Sequence, residues 1–126
     1  MRLLRARITR LERGCAEITA KNQAVLSQQD GFVHAGVLAT MMDSAGGYAA
    51  LSVLPPGSRV LAVEFKINFM APAVGDTIRG IGTVRRMGKR IAVCELEAKI
   101  RKNKTWITCA WGSQTVYCIK AGEANG

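Results

Sequence analysis

His34-Ala35-Gly36-Val37-Leu38-Ala39-Thr40-Met41-Met42-Asp43-Ser44-Ala45-Gly46-Gly47-Tyr48-Ala49-Ala50-Leu51-Ser52-Val53-Leu54 contains no proline and is rich in Ala, Leu and Met. Val37, Leu38, Met41, Met42, Ala45, Ala49 and Leu54 are apolar, and Ala39, Ala50 and Val53 carry the apolar character to the opposite side. A helix apolar nearly all round is a buried helix. Pro55-Pro56-Gly57 ends it. One buried helix in a chain of 126 residues must be wrapped by the rest of the domain.

The flanking sequence predicts strands. Arg5 to Ala20 reads as a β-hairpin turning at Glu12-Arg13-Gly14, with Ile8 and Ile18 on its two arms. Residues 21–33 are polar and irregular, with a loop at Gln28-Gln29-Asp30-Gly31. Val60 to Met70 alternates, with Leu61, Val63, Phe65, Ile67 and Phe69 on one face and Glu64, Lys66 and Asn68 on the other. Phe65 and Phe69 are expected in the core. Thr77 to Arg86 follows, thinned by Gly80 and Gly82. Met87-Gly88-Lys89 reads as a turn. Arg90 to Arg101 and Lys104 to Tyr117 are two further strands. The order β-β-α-β-β-β-β predicts an α+β class, with the last four strands in an antiparallel meander around the helix. One domain is expected over residues 1–119, with a disordered tail over 120–126.

Composition bounds the function. The chain is 48% hydrophobic, enough for a core and too much for a disordered chain. No apolar run approaches the length of a membrane-spanning helix. Cys15, Cys94, Cys109 and Cys118 form no CxxC pair, and one histidine is too few for a zinc-finger arrangement. No metal site is expected, and the thiols read as free in a reducing cytoplasm. The formal net charge is +9, which attracts phosphate groups on nucleic acid, lipid or a small ligand. Five arginines fall in the first thirteen residues against one acid, Glu12. That bias is presequence-like, but Ile8-Thr9-Arg10-Leu11 reads as a strand folding back through Gly14.

Four positions carry candidate chemistry. Asp43 lies mid-helix with no Lys or Arg within a turn. An unpaired carboxylate there would cost several kcal/mol if buried, so this face either opens onto a cavity or solvent, or serves a reaction. His34 stands at the helix N-terminus, where first-turn amides lack intrahelical acceptors and face the positive end of the dipole. Ala35 and Gly36 are small, so those amides could receive a developing oxyanion. His34 and Asp43 are roughly 13 Å apart along one helix, so acting on one carbon would require two subunits. Gly46-Gly47 costs about 1 kcal/mol per residue relative to alanine, which close packing of another backbone would explain. Arg85-Arg86-Met87-Gly88-Lys89-Arg90 places four cations on one turn with no neighbouring acid, a candidate phosphate contact.

Gly31-Phe32-Val33-His34-Ala35-Gly36-Val37, followed by Asp43-Ser44-Ala45, resembles the HGG(x)nD signature of PaaI-type hotdog-fold thioesterases. Val63 to Ala73 resembles that family's third strand and its Pro-containing turn. The resemblance covers Ile8 to Tyr117. It implies a hotdog homo-oligomer, dimer or paired dimers, that hydrolyses acyl-CoA without metal or cofactor. It also implies Asp43 as base or nucleophile and the Ala35 amide as oxyanion donor, contributed by opposite subunits. CoA phosphates would meet Arg85, Arg86, Lys89 and Arg90. The sequence departs from the family pattern at Gln28, where many members carry Asn to position water or thioester. It departs again at Ala35, where the signature has its first Gly, and at Ala62, where some relatives carry Ser or Thr.

Two alternatives stand beside this expectation. A hydratase or dehydratase of the same fold would need a catalytic His34. A non-catalytic binder of acyl-CoA, lipid or nucleic acid would use the charge. Nucleic acid is disfavoured because three Phe, two Tyr and two Trp make a poor stacking platform.

Overall fold

The computed structural model describes residues 4–27 and 31–123. A 17-residue helix, α1 (Ala35–Leu51), lies against one six-stranded antiparallel sheet. The strands are β1 (Arg7–Glu12), β2 (Cys15–Lys21), β3 (Arg59–Phe69), β4 (Thr77–Met87), β5 (Ile91–Lys102) and β6 (Thr105–Ile119). A short 3₁₀ turn spans Ala24–Leu26. After Ile119 the chain makes a turn over residues 120–123, where the Ala121 amide donates to Ser58 Oγ at 3.0 Å.

The β1–β2 hairpin closes through Gly14, whose φ of +84° is the left-handed conformation that glycine adopts freely. The helix buries Leu38, Met41, Met42, Ala45, Ala49 and Ala50 against Ile18, Ile78, Leu96, Ile100 and Val116 of the sheet. Two glycines set how closely the layers approach. A Cβ on Gly80 would stand 2.7 Å from the Met41 carbonyl oxygen, and one on Gly82 would stand 2.5 Å from the Ala45–Gly46 backbone. The close backbone approach expected at Gly46-Gly47 is therefore made possible by Gly80 and Gly82 on β4. At Gly46 the close neighbour is instead the Gln114 side chain, and at Gly47 the nearest atom is Val60 Cγ2 at 3.8 Å.

The sheet order is β1-β2-β4-β5-β6-β3, which corrects the expected four-strand meander. Of the last four strands, only β4, β5 and β6 follow one another. β3 pairs with β6 at the far edge, and β4 pairs with β2. The link over residues 70–76 makes the crossing possible. Reaching β4 from β3 means passing three strand spacings, about 14 Å, and seven extended residues reach about 24 Å. The link passes under the helix start: the Val33 amide donates to the Ala73 carbonyl at 2.9 Å, and the Asn22 amide to Asp76 O at 2.9 Å.

The face assignment on β3 is also corrected. The register shifts between Ala62 and Glu64, so Val63 occupies a bulge. Val60 and Ala62 then share a face with Phe65, Ile67 and Phe69, while Leu61 falls on the other. On the edge strand β3, Val60 and Ile67 pack partly against the core, and the other apolar side chains stay open. Leu61 is 67% exposed, Val63 62%, Phe65 46% and Phe69 52%. Phe65 and Phe69 are thus not core residues of this chain.

Candidate active site

α1 begins where two backbone bonds fix the incoming chain. The Val33 amide is tied to Ala73, and the His34 amide donates to the Leu26 carbonyl at 2.9 Å. His34 is the N-cap, with φ −58° and ψ 136°, and its imidazole makes no capping bond. The next two residues, Ala35 and Gly36, are exposed. Their amides are first-turn donors with no intrahelical acceptor, and nothing lies within 4 Å of where a Cβ on Gly36 would stand. Gln28 lies outside the described residues.

Asp43 sits two turns further along, partly buried. Its partner comes from the sheet. Gln114 Nε2 donates to Asp43 Oδ1 and approaches the Asp43 carbonyl oxygen at 3.3 Å. Gln114 is 1% exposed and is the one buried polar side chain among the described residues. Its Oε1 lies against Gly46 with no hydrogen-bond partner among the described residues. The lack of a Cβ at Gly46 leaves room for this amide. The anomaly in the sequence, an acid without a nearby cation, is resolved by an amide 71 positions away.

Asp43 opens onto a cavity of about 320 Å³ lined by Gly47, Val60, Leu61, Ala62, Gln114 and Val116. One wall is therefore the exposed edge strand β3. The carboxylate's inner oxygen is held by an amide donor, and the other can face a reactant in this cavity. Such an oxygen can accept a proton from water or attack an electrophilic carbon.

Gln114 was legible in one respect. Along β6, Gly112, Gln114, Val116 and Cys118 point inward, and a single polar side chain interrupts this otherwise apolar phase. Nothing local to either residue pairs it with Asp43.

The basic turn lies elsewhere. Gly14 stands between Val53, just beyond the helix C-terminus, and Val84 on β4, so the β4–β5 turn projects at the end away from Ala35. Arg85 Nε donates to Glu95 at 2.6 Å, so an acid across the hairpin balances it. Hydrogen bonds from Trp111 and Arg85 hold the Glu95 carboxyl below its ordinary range. Arg90 donates to the Tyr117 hydroxyl at 3.2 Å. Arg86 and Lys89 are exposed.

Among the described residues, no group of three or more His, Cys, Asp or Glu side chains could hold a metal ion. Cys94, Cys109 and Cys118 are buried free thiols, and Cys15 is partly buried. No helix among the described residues is long and apolar enough to cross a membrane.

These features place the chain in a class. The thioesterase superfamily model matches residues 30–107, and the chain belongs to that family. Its helix-and-sheet arrangement is the hotdog fold. A thioesterase family protein from Silicibacter pomeroyi superposes with a TM-score of 0.92 and 35% identity, over 96% of this chain and 89% of that one. The Escherichia coli PaaI protein of the phenylacetic acid degradation operon superposes with a TM-score of 0.81 and 26% identity, over 94% and 82% of the two chains. A Halobacterium salinarum protein, provisionally named an esterase, is 36% identical over 69 residues. That match spans 53% of this chain and 45% of the relative, so the chain covers under half of that protein's length.

Proposed function

We propose that this protein is an acyl-CoA thioesterase, with Asp43 as its base or nucleophile. The observation that carries the reading is Asp43 itself, a carboxylate held by Gln114 at a cavity bounded by β3. In the general-base form, Asp43 takes a proton from water as the oxygen attacks the thioester carbonyl carbon. The C–S bond then breaks, and the CoA thiolate leaves and is protonated. In the nucleophilic form, Asp43 displaces the thiolate to give a mixed anhydride, which water opens.

The oxyanion formed in either case needs preorganised donors. The amides of Ala35 and Gly36 fit that need, but Ala35 lies about 12 Å from Asp43 along the same helix. A second copy supplies them in this reading. The uncovered apolar side chains of β3 support a homo-oligomer with its site at the subunit interface, because a long apolar edge strand invites pairing. Gln28 then orients water or substrate, His34 serves through its backbone at the helix cap, and Arg85, Arg86, Lys89 and Arg90 meet the CoA phosphates.

The test is thiol release across a panel of aliphatic and aromatic acyl-CoA substrates. Turnover of at least one is expected, with a loss of two or more orders of magnitude in Asp43→Ala. Equal rates for wild type and Asp43→Ala on every substrate would overturn the mechanism.

A further inference from the structure

The face of the sheet opposite the helix carries a groove of about 680 Å³ that the thioester site does not use. Its walls hold Arg5, Arg7, Lys21, Arg79 and Arg101, with Trp106 among them. The strand register explains the gathering. Arg7 pairs with Thr19, Thr19 with Arg79, and Arg79 with Lys99. Lys21 pairs with Thr77, Thr77 with Arg101, and Arg101 with Trp106. Directly paired residues share a face, and so do residues two apart on one strand. These two neighbouring rows therefore stand on one face, while Ile78 and Ile100 between them turn inward to the core.

Charge is segregated along this face. The next row carries Glu17 and Glu97, paired through Ile81. Among the described residues, the carboxylate paired with a groove cation is Asp76, which meets Arg101 Nε at 3.0 Å. Among the described residues, Arg5, Arg7, Lys21 and Arg79 have no such ion pair. The Arg79 guanidinium is seated on the Trp106 ring, 4.0 Å from its centroid, with Arg101 at 5.9 Å. Arg79 Nε is buried without a hydrogen-bond partner among the described residues. Two of the N-terminal arginines, Arg5 and Arg7, gain a place here.

We infer that this groove binds a chain of two or more phosphates, the shared chemistry of inorganic polyphosphate and of nucleotide diphosphates. Arginine forks match phosphate oxygens in pairs, and cations from four adjacent strands suit an extended anion better than a single phosphate. The site lies on the opposite face from Asp43 and is independent of the thioesterase reading.

Isothermal titration at physiological ionic strength tests it, with tripolyphosphate, ADP and AMP as probes. Tripolyphosphate and ADP are expected to bind, AMP at least tenfold more weakly, and Arg79→Ala and Arg7→Glu each to weaken tripolyphosphate at least tenfold. Arg7 is exposed, so its variant carries the test even if Arg79→Ala fails to fold. A stronger response to tripolyphosphate assigns the site to inorganic polyphosphate, and a stronger response to ADP to a nucleotide. The inference is overturned by no tripolyphosphate binding, or by unchanged affinity in Arg7→Glu. Tighter binding of a single-stranded oligonucleotide than of tripolyphosphate would overturn it too, as would a changed oligomer mass in both variants, which would make the groove an interface between copies.

Discussion

The side-chain amide of Gln114, buried on β6, donates to the carboxylate of Asp43 on α1 and holds it at the mouth of the cavity. The contact joins the two layers of the domain at the proposed reacting group. The bond fixes which carboxylate oxygen faces the cavity.

Removing that amide should therefore affect chemistry more than binding. Gln114→Ala is expected to lower kcat about ten- to a hundredfold with a smaller change in KM. Steady-state kinetics reads the split, and an unchanged kcat in Gln114→Ala would show that the amide does not position the carboxylate for the reaction.

His34 separates the hydrolase from a hydratase of the same fold. Its backbone caps the helix and its imidazole makes no capping bond, so His34→Ala should retain thioester hydrolysis within about tenfold. Loss of nearly all activity, with the fold intact by circular dichroism, would favour imidazole chemistry instead.

The apolar edge of β3 should be covered by a second copy. Val63→Glu puts a charge on a residue 62% exposed in the single chain. It should leave the monomer folded, weaken self-association at least tenfold in sedimentation equilibrium, and lower activity in parallel. A wild-type chain that sediments as a monomer at micromolar concentration would refute the shared-site arrangement.

Gly82 should tolerate no side chain, because its Cβ would meet the helix backbone at 2.5 Å. Overpacking of this kind costs about 1–3 kcal/mol and sometimes more. Gly82→Ala should lower Tm by several degrees, whereas Gly36→Ala, with nothing within 4 Å, should leave Tm nearly unchanged. Calorimetry of the two variants gives the comparison.

Burial, with a smaller contribution from Cys118, raises the Cys94 thiol to about 11. In the native state it keeps its proton at pH values where the unfolded thiol, near 9, has lost it. The stability from that protonated thiol is full below pH 9 and declines as pH rises toward 11. The Tm difference between wild type and Cys94→Ala should shrink over that interval. At pH 8, Cys94 should also resist a thiol reagent until the protein unfolds.

Much of the fold was legible because it depends on local pattern. The proline-free apolar run, closed by Pro55-Pro56-Gly57, marked the helix to within a few residues at each end. Turn residues at Gly14, Gly88 and Asn103 marked the strand breaks. The family signature around His34 to Asp43 was equally readable, since its residues lie on one helix. The edge position of β3 was not legible, because alternation reports that a strand has an apolar face, not what covers it. The bulge at Val63 then moved Phe65 and Phe69 onto a different face from Leu61.

Periodicity and turn chemistry act over a few residues, so the elements, the buried helix and the acid within it can be read along the chain. Tertiary structure alone decided that Gln114 meets Asp43, that Gly80 and Gly82 admit the helix backbone, and that distant cations converge around Trp106. Each of these depends on strand order and register, which place residues from separate strands side by side, and a local pattern carries no record of that pairing.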